Sequence, residues 1–179
     1  MSEAARWYAL AVHARSERKA AVAVAAVVDD VFLPARIDRR AWSDRIRAVE
    51  VPLFPGYVFV RLALTAQSRV TLLKVKQVVD VVGRRAGGGE IAPAVPDDEV
   101  SSLRLLLAAE RALDPVDALV PGVAVVVGAG PLKGVRGVVE RGADGQRRLV
   151  VQVSLLGRGV RTTLLADEVL HDVGVREGP

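Results

Sequence analysis

Short apolar runs broken by turn residues set the pattern of this chain, and the period of those runs changes along it. Trp7 to Val12 is apolar and aromatic and predicts a buried first strand. Ser16 stands where a helix cap belongs, before a run from Glu17 to about Val28 whose Ala21, Val24 and Val28 share one helical face. Val31-Phe32-Leu33-Pro34 predicts a short strand stopped by proline. Arg36 to Glu50 is polar, with Arg36, Arg39, Arg40, Arg45 and Arg47 around Trp42, and predicts an exposed hairpin or loop. Ala66 to Val75 predicts a short helix, and Val78 to Val82 a strand. Arg84 to Glu90, with Gly87-Gly88-Gly89, predicts a turn. Pro96-Asp97-Asp98 opens a last helix to about Leu113, with Val100, Leu103, Leu107 and Glu110 at helical spacing.

This β-α-β-β-α-β-α order predicts an α+β domain with helices on a mostly antiparallel sheet. From about Leu119 the pattern becomes all strand. Val123–Val127, Val135–Val139, Leu149–Val153 and Val160–Leu165 are separated by glycine turns, the spacing of a small β-barrel.

The most informative stretch is Pro52-Leu53-Phe54-Pro55-Gly56-Tyr57-Val58-Phe59-Val60. Two prolines bracket Leu53-Phe54, and Gly56 permits a sharp turn, so this pair lies on a bend where a strand begins. Large apolar side chains on a bend either plug a core or face a partner. Which of the two applies is open from these residues alone.

Composition narrows the chemistry. With 179 residues, 51% of them hydrophobic, the chain can bury a core or two small ones. No apolar run reaches the roughly 18 residues of a membrane span. Ala20–Val28 follows Arg18-Lys19 as a signal core would, but precedes two aspartates and reads as a buried helix. The chain has no cysteine and two distant histidines, His13 and His171, which argues against disulfides and metal sites. The expected compartment is the cytoplasm. Residues 1–113 hold 17 Lys and Arg against 13 Asp and Glu, and 114–179 hold eight of each, so the basic excess lies in the first part.

Candidate motifs are weak individually. The glycine series through Gly130-Pro131-Leu132-Lys133-Gly134 lacks the Gly-Lys-Ser/Thr ending of a phosphate loop and is followed by a strand, which favours barrel turns. Asp29-Asp30 and Asp97-Asp98-Glu99 lie at helix ends, where solvated or capping carboxylates are the ordinary explanation. No catalytic constellation stands out, so an enzyme is the least favoured class. The arginines around Trp42 combine charge with one stacking ring and form the best local candidate for nucleic-acid contact, with a solvated hairpin equally compatible.

In order, Trp7-Tyr8, Glu17, Phe32-Leu33-Pro34 and Leu53-Phe54-Pro55-Gly56-Tyr57 resemble the amino-terminal (NGN) domain of the NusG family of transcription elongation factors. Val78–Gly83 and Ala92–Asp97 are similar to its closing segment. The run from Pro121-Gly122 to Leu156-Gly157-Arg158 resembles a KOW domain, a small SH3-like β-barrel. The resemblance spans about residues 5–171 and implies an NGN domain over 1–113, a linker at 114–119, a KOW domain over 120–173 and a tail at 174–179. PLFPGYVFV and the short 39–51 hairpin look more like specialised paralogues of the RfaH, LoaP and UpxY type than the housekeeping factor.

The resemblance implies a monomer without cofactor, metal or catalytic residues that docks on the clamp helices of the RNA polymerase largest subunit. Tyr8, Leu10, Leu53, Phe54, Pro55 and Tyr57 match the family's apolar docking surface, which implies that Leu53 and Phe54 face outward while Tyr57 and Phe59 anchor the strand. Ser68 and Arg69 match its contact with the opposite clamp. His13, Arg15, Lys74 and Lys76 match the face that approaches the non-template DNA strand, and Arg39 and Arg40 join them as candidate DNA contacts. Leu155, Leu156, Gly157 and Arg158 match the partner loop of the KOW domain. There the housekeeping factor carries Phe-Gly-Arg to engage NusE, which links it to the ribosome, or the terminator Rho. Leu156 keeps an apolar plug without the aromatic face, so binding of NusE or Rho is left open. Refolding of the barrel into helices is disfavoured by the β-branched residues and glycines at 122–139. The rival reading is an RNA-binding or ribosome-associated module centred on the barrel, which the location of the basic excess disfavours.

Overall fold

A computed structural model describes residues 4–42, 45–83, 92–168 and 170–173. The chain divides into two compact units, Met1–Pro96 and Asp97–Pro179.

In the first unit, β1 (Arg6–Val12) leads to α1 (Glu17–Ala25), β2 (Asp30–Phe32), β3 (Ala35–Trp42), β4 (Arg45–Pro52), β5 (Tyr57–Leu62), α2 (Ala66–Leu73) and β6 (Val78–Val81). The main sheet has the order β2-β5-β1-β6 and is antiparallel throughout, while β3 and β4 form a separate two-stranded ribbon. Side chains alternate across a strand. Tyr8, Leu10 and Val12 of β1 therefore join Val58 and Val60 of β5 in one cluster with Ala20, Ala21 and Val24 of α1 and Leu72 of α2. The alternate positions Trp7, Ala9 and Phe59 are buried on the opposite face. There Trp7, Phe32, Phe59 and Phe54 form a chain of ring contacts with centroids 6.1 to 6.5 Å apart.

Helix α1 ends at Ala25, short of the predicted Val28, where the Val27 and Val28 N–H groups both donate to the Val24 carbonyl. Ser16 takes the N-cap position but makes no side-chain cap hydrogen bond. Helix α2 has a reciprocal cap instead: Thr65 Oγ1 accepts from the Ser68 N–H, and Ser68 Oγ accepts from the Thr65 N–H. The predicted 84–90 turn lies outside the described residues.

The second unit begins with α3 (Asp97–Ala108) and continues through β7 (Asp114–Val116), β8 (Val123–Val127), β9 (Arg136–Arg141), β10 (Arg147–Val153), β11 (Arg158–Thr163) and β12 (Leu170–Asp172). Its sheet has the order β12-β8-β9-β10-β11-β7. Gly137 keeps β9 close to β10, since a Cβ there would lie 2.6 Å from the Val150 carbonyl oxygen. The segment expected as linker supplies an edge strand, Asp114–Val116 pairing with Gly159–Arg161. Pro115 is tolerated because an edge strand has one side without ladder bonds.

The largest departure from the sequence expectation is α3, which instead of closing the first domain packs on β9 and β10. Its buried residues are Glu99, Val100, Ser102, Leu103 and Leu106, a stripe rotated from the expected 100-103-107-110 spacing. The helix stops at Ala108, and Glu110 has a left-handed φ of 51°, so the predicted periodicity cannot continue to residue 110.

Candidate functional site

The proline-bracketed bend is held from three directions. The Leu53 N–H donates to the Pro34 carbonyl at 2.8 Å, and the Val12 N–H donates to the Gly56 carbonyl at 2.9 Å. The Gly56 N–H donates to Oε1 of Glu17 at 2.9 Å, and Glu17 itself is buried. Gly56 has a φ of +87°, a conformation that glycine adopts without a Cβ clash. A hydrogen bond to a buried carboxylate is of the charge-assisted kind, roughly twice as strong as a neutral one. The first residue of α1 thus fixes the entry to β5.

This arrangement divides the bend residues. Leu53 and Phe54 are 3% and 1% exposed, and the Phe54 ring meets Phe59 edge-on at 6.1 Å. The expectation that this pair faces outward is therefore corrected: ring packing against Phe59 turns Phe54 inward. Pro55 is the exposed member, and Tyr57 is half-buried. Phe59 is an anchor as expected. Tyr8 and Leu10, also matched to a docking surface, are buried in the cluster beneath α1 and α2, because their positions in β1 alternate with Trp7 and Ala9.

Two further loops meet at the same end of the sheet. The His13 N–H donates to the Gln77 carbonyl at 2.9 Å, which joins the β1–α1 turn to the α2–β6 turn. Exposed His13 and Arg15 lie on one turn and exposed Lys74 and Lys76 on the other, with no acidic residue in 11–16 or 74–79. Arg15 has a left-handed φ of 62°, uncommon outside glycine, asparagine and aspartate. Lys74 is also the C-cap of α2, where a cation complements the helix dipole. The structure thus brings Pro55, Tyr57, His13, Arg15, Lys74 and Lys76 to one edge, an apolar knob beside a basic rim.

The other candidates are placed elsewhere. Ser68 Oγ donates to the Ala63 carbonyl at 2.9 Å as part of the α2 cap, and Arg69 pairs with Asp80 at 3.0 Å. Both side chains are engaged within the unit. Arg39 is exposed on β3, and Arg40 stands opposite Arg47 in the β3–β4 register.

In the second unit, Leu155, Leu156, Gly157 and Arg158 are all half-buried, and Gly157 has a left-handed φ of 63°. The loop is tied to α3 by Glu99, whose Oε1 accepts from Ser154 Oγ at 2.7 Å and whose Oε2 accepts from the Ser154 N–H at 3.2 Å. Ser102 Oγ accepts the Arg136 N–H at 2.9 Å. Beyond the helix, Arg111 pairs with the fully buried Glu168 at 3.0 Å. An open cavity of about 270 Å³ is lined by Arg111, Arg148, Arg161 and Thr162 among others. Each of its three arginines is already bound to a carboxylate, Glu168, Asp144 and Glu140 respectively, so it is a poor anion site. Sequence reasoning takes Glu99 for a solvated carboxylate and does not single out Glu17 as a ligand of the bend. Only the spacing of Glu17 at the head of a helix hints at a role.

Among the described residues, no group of three or more His, Asp or Glu side chains could hold a metal ion. No helix of the described residues is long and apolar enough to cross a membrane. A helix-backed antiparallel sheet followed by a unit with a second small sheet defines a two-unit α+β protein. The family model described as "Transcription termination factor nusG" matches residues 5–104, more than half of the chain. The chain belongs to the NusG family, with an amino-terminal NGN domain followed by a carboxy-terminal sheet domain.

It is similar to the transcription termination/antitermination protein NusG of Halalkalibacterium halodurans, 26% identical over 72% of this chain and 71% of that protein. The NusG of Staphylococcus carnosus is 25% identical over 93% of this chain and 95% of that protein. A solved structure titled "Domain interaction in Thermotoga maritima NusG" aligns with a TM-score of 0.49 at 23% identity, covering 94% of this chain and 97% of that one.

Proposed function

We propose that this protein is a transcription elongation factor of the antitermination type that binds RNA polymerase and keeps it processive, acting by binding energy without bond chemistry. The observation that supports this most directly is the pairing of exposed Pro55 and half-buried Tyr57 with the basic rim of His13, Arg15, Lys74 and Lys76. In this reading the knob enters the clamp helices of the polymerase largest subunit, and the rim lies toward the non-template DNA strand. Leu53, Phe54, Tyr8 and Leu10 hold the knob in place from inside. Ser68 and Arg69, already engaged, are assigned no contact.

The specialised-paralogue reading rests on the PLFPGYVFV run and on the short arginine-rich 39–51 hairpin. The half-buried Leu155 and Leu156 still offer an apolar loop, which favours a second reading: a housekeeping role in which the KOW domain couples to NusE on the ribosome or to Rho.

Single-round transcription through a pause and a terminator tests the proposal. Adding the protein should shorten the pause and raise readthrough, and Lys74→Glu/Lys76→Glu should remove most of that effect. No change in pausing or readthrough overturns the antitermination reading. Capture of NusE or Rho by the full chain, abolished in Leu156→Ser, favours the housekeeping one.

A further inference from the structure

The β9–β10 hairpin of the second unit pairs Val138 with Val150, Val139 with Leu149, Glu140 with Arg148 and Arg141 with Arg147. Its turn is closed by hydrogen bonds. The Gly142 N–H donates to the Gln146 carbonyl at 2.9 Å, the Gly145 N–H to the Gly142 carbonyl at 2.9 Å, and the Gln146 N–H to Oδ1 of Asp144 at 3.1 Å. Both carboxylates of the hairpin are engaged, Asp144 with Arg148 at 2.6 Å and Glu140 with Arg161 at 2.9 Å. Arg141 and Arg147, both exposed, face each other at the end of the ladder with no carboxylate of the hairpin left to neutralise them. Like charges in directly opposed positions destabilise a strand pair. Such a pair is unfavourable alone and favourable once an anion lies across both guanidinium groups.

Directly opposed residues share a face of a sheet, and so do alternate residues of a strand. Arg141 and Arg147 therefore continue the face of Val139, and Val139 stands opposite Val123, which is 50% exposed. Two cations thus lie beside an apolar side chain. The surroundings say which anion fits. Residues 97–179 carry ten Lys and Arg against 12 Asp and Glu, so the unit lacks the positive field that draws a nucleic-acid backbone. The same residues include no Phe, Tyr or Trp on which a single-stranded base could stack. Opposed residues of an antiparallel pair have Cβ atoms about 4.5–5.5 Å apart. That is close to the separation of about 5–6 Å between side chains at i and i+4 of a helix.

We propose that the end of the β9–β10 hairpin docks an acidic amphipathic helix of a partner protein. Carboxylates at i and i+4 of that helix lie on Arg141 and Arg147, and an apolar side chain lies against Val123. A guanidinium takes a carboxylate through two parallel N–H···O bonds, which fixes the orientation of the helix as well as its charge. The site is separate from the loop at 154–158, since Arg147 opens β10 and that loop follows its far end. It also stands independently of the polymerase reading, because it involves neither the knob nor the basic rim.

Fluorescence anisotropy of the full chain tests the proposal, with a labelled helical peptide of Ala, Leu and Glu as the probe. The peptide has about 18 residues, enough for a helix in isolation, and carries its glutamates in i, i+4 pairs. The wild-type chain should bind it more tightly than the same peptide with Gln for Glu. Arg141→Gln/Arg147→Gln should weaken binding of the Glu peptide by about fivefold, the worth of two exposed ion pairs. The unfolding midpoint should hold or rise, because the opposed charges are gone. Arg141→Lys/Arg147→Lys, which keeps the charge without the fork, should fall between the two. Duplex DNA, measured on the same proteins, should lose less than about twofold in affinity in the glutamine variant. The proposal is overturned if the wild-type chain binds the Glu and Gln peptides alike or if the glutamine variant keeps the wild-type affinity for the Glu peptide. It is also overturned if that variant loses as much affinity for duplex DNA as for the peptide.

Discussion

Oε1 of Glu17 accepts the backbone N–H of Gly56 at 2.9 Å, across 39 residues of sequence. This bond ties the start of α1 to the bend that presents Pro55, and the Val12 N–H to Gly56 carbonyl bond ties the same glycine to β1. Two elements that lie apart from Pro55 in sequence thereby set its position.

Glu17→Ala leaves the Gly56 N–H without its charged acceptor and should destabilise the chain by about 1.5–3 kcal/mol. Glu17→Gln keeps an acceptor oxygen and should lose about half as much, in proportion to the weaker neutral bond. Chemical denaturation of the full chain checks both, and equal losses for the two variants would mean that the carboxylate charge is irrelevant to the bend.

Phe54→Ala removes a ring that is 1% exposed and in contact with Phe59. The expected cost is about 3–5 kcal/mol from reduced burial and the cavity left behind. An outward-facing Phe54 would instead leave the unfolding midpoint nearly unchanged, so the same denaturation curve separates the two placements.

Arg111→Ala strands the fully buried Glu168 carboxylate. Removing one partner of a buried pair costs about 3–5 kcal/mol. The fragment 117–179, which lacks α3, Arg111 and β7, should accordingly show weaker amide-exchange protection in β10 and β11 than the fragment 97–179. Equal protection in the two fragments would mean that residues 97–116 are dispensable to the sheet.

Much of the first unit is legible in the sequence because its strands are marked by apolar runs and its turns by proline and glycine. The hairpin, the bend and the starts of both helices follow from those signals. Orientation at the bend does not, since Leu53 and Phe54 lie outside any regular alternation that would assign them a face. The partner of α3 is hidden for a related reason: helical periodicity reveals an apolar stripe without saying which sheet it covers. Glu99 sits in an acidic cluster that looks solvated until Ser154, 55 residues on, is placed beside it. Strand β7 is three residues long and contains Pro115, so its pattern resembles a linker. The α2 cap uses Ser68 in place of the usual Glu or Gln, so the sequence alone leaves Ser68 looking free for a partner.

The affinity of Pro55→Asp for core RNA polymerase tests the central claim most directly. Pro55 is exposed on a bend fixed from within, so the aspartate should leave the unfolding midpoint unchanged while placing an unpaired charge at the centre of the docking knob. The account predicts a loss of roughly tenfold or more in affinity with the fold intact. Binding within about twofold of the wild-type chain, a difference of about 0.4 kcal/mol, would contradict it.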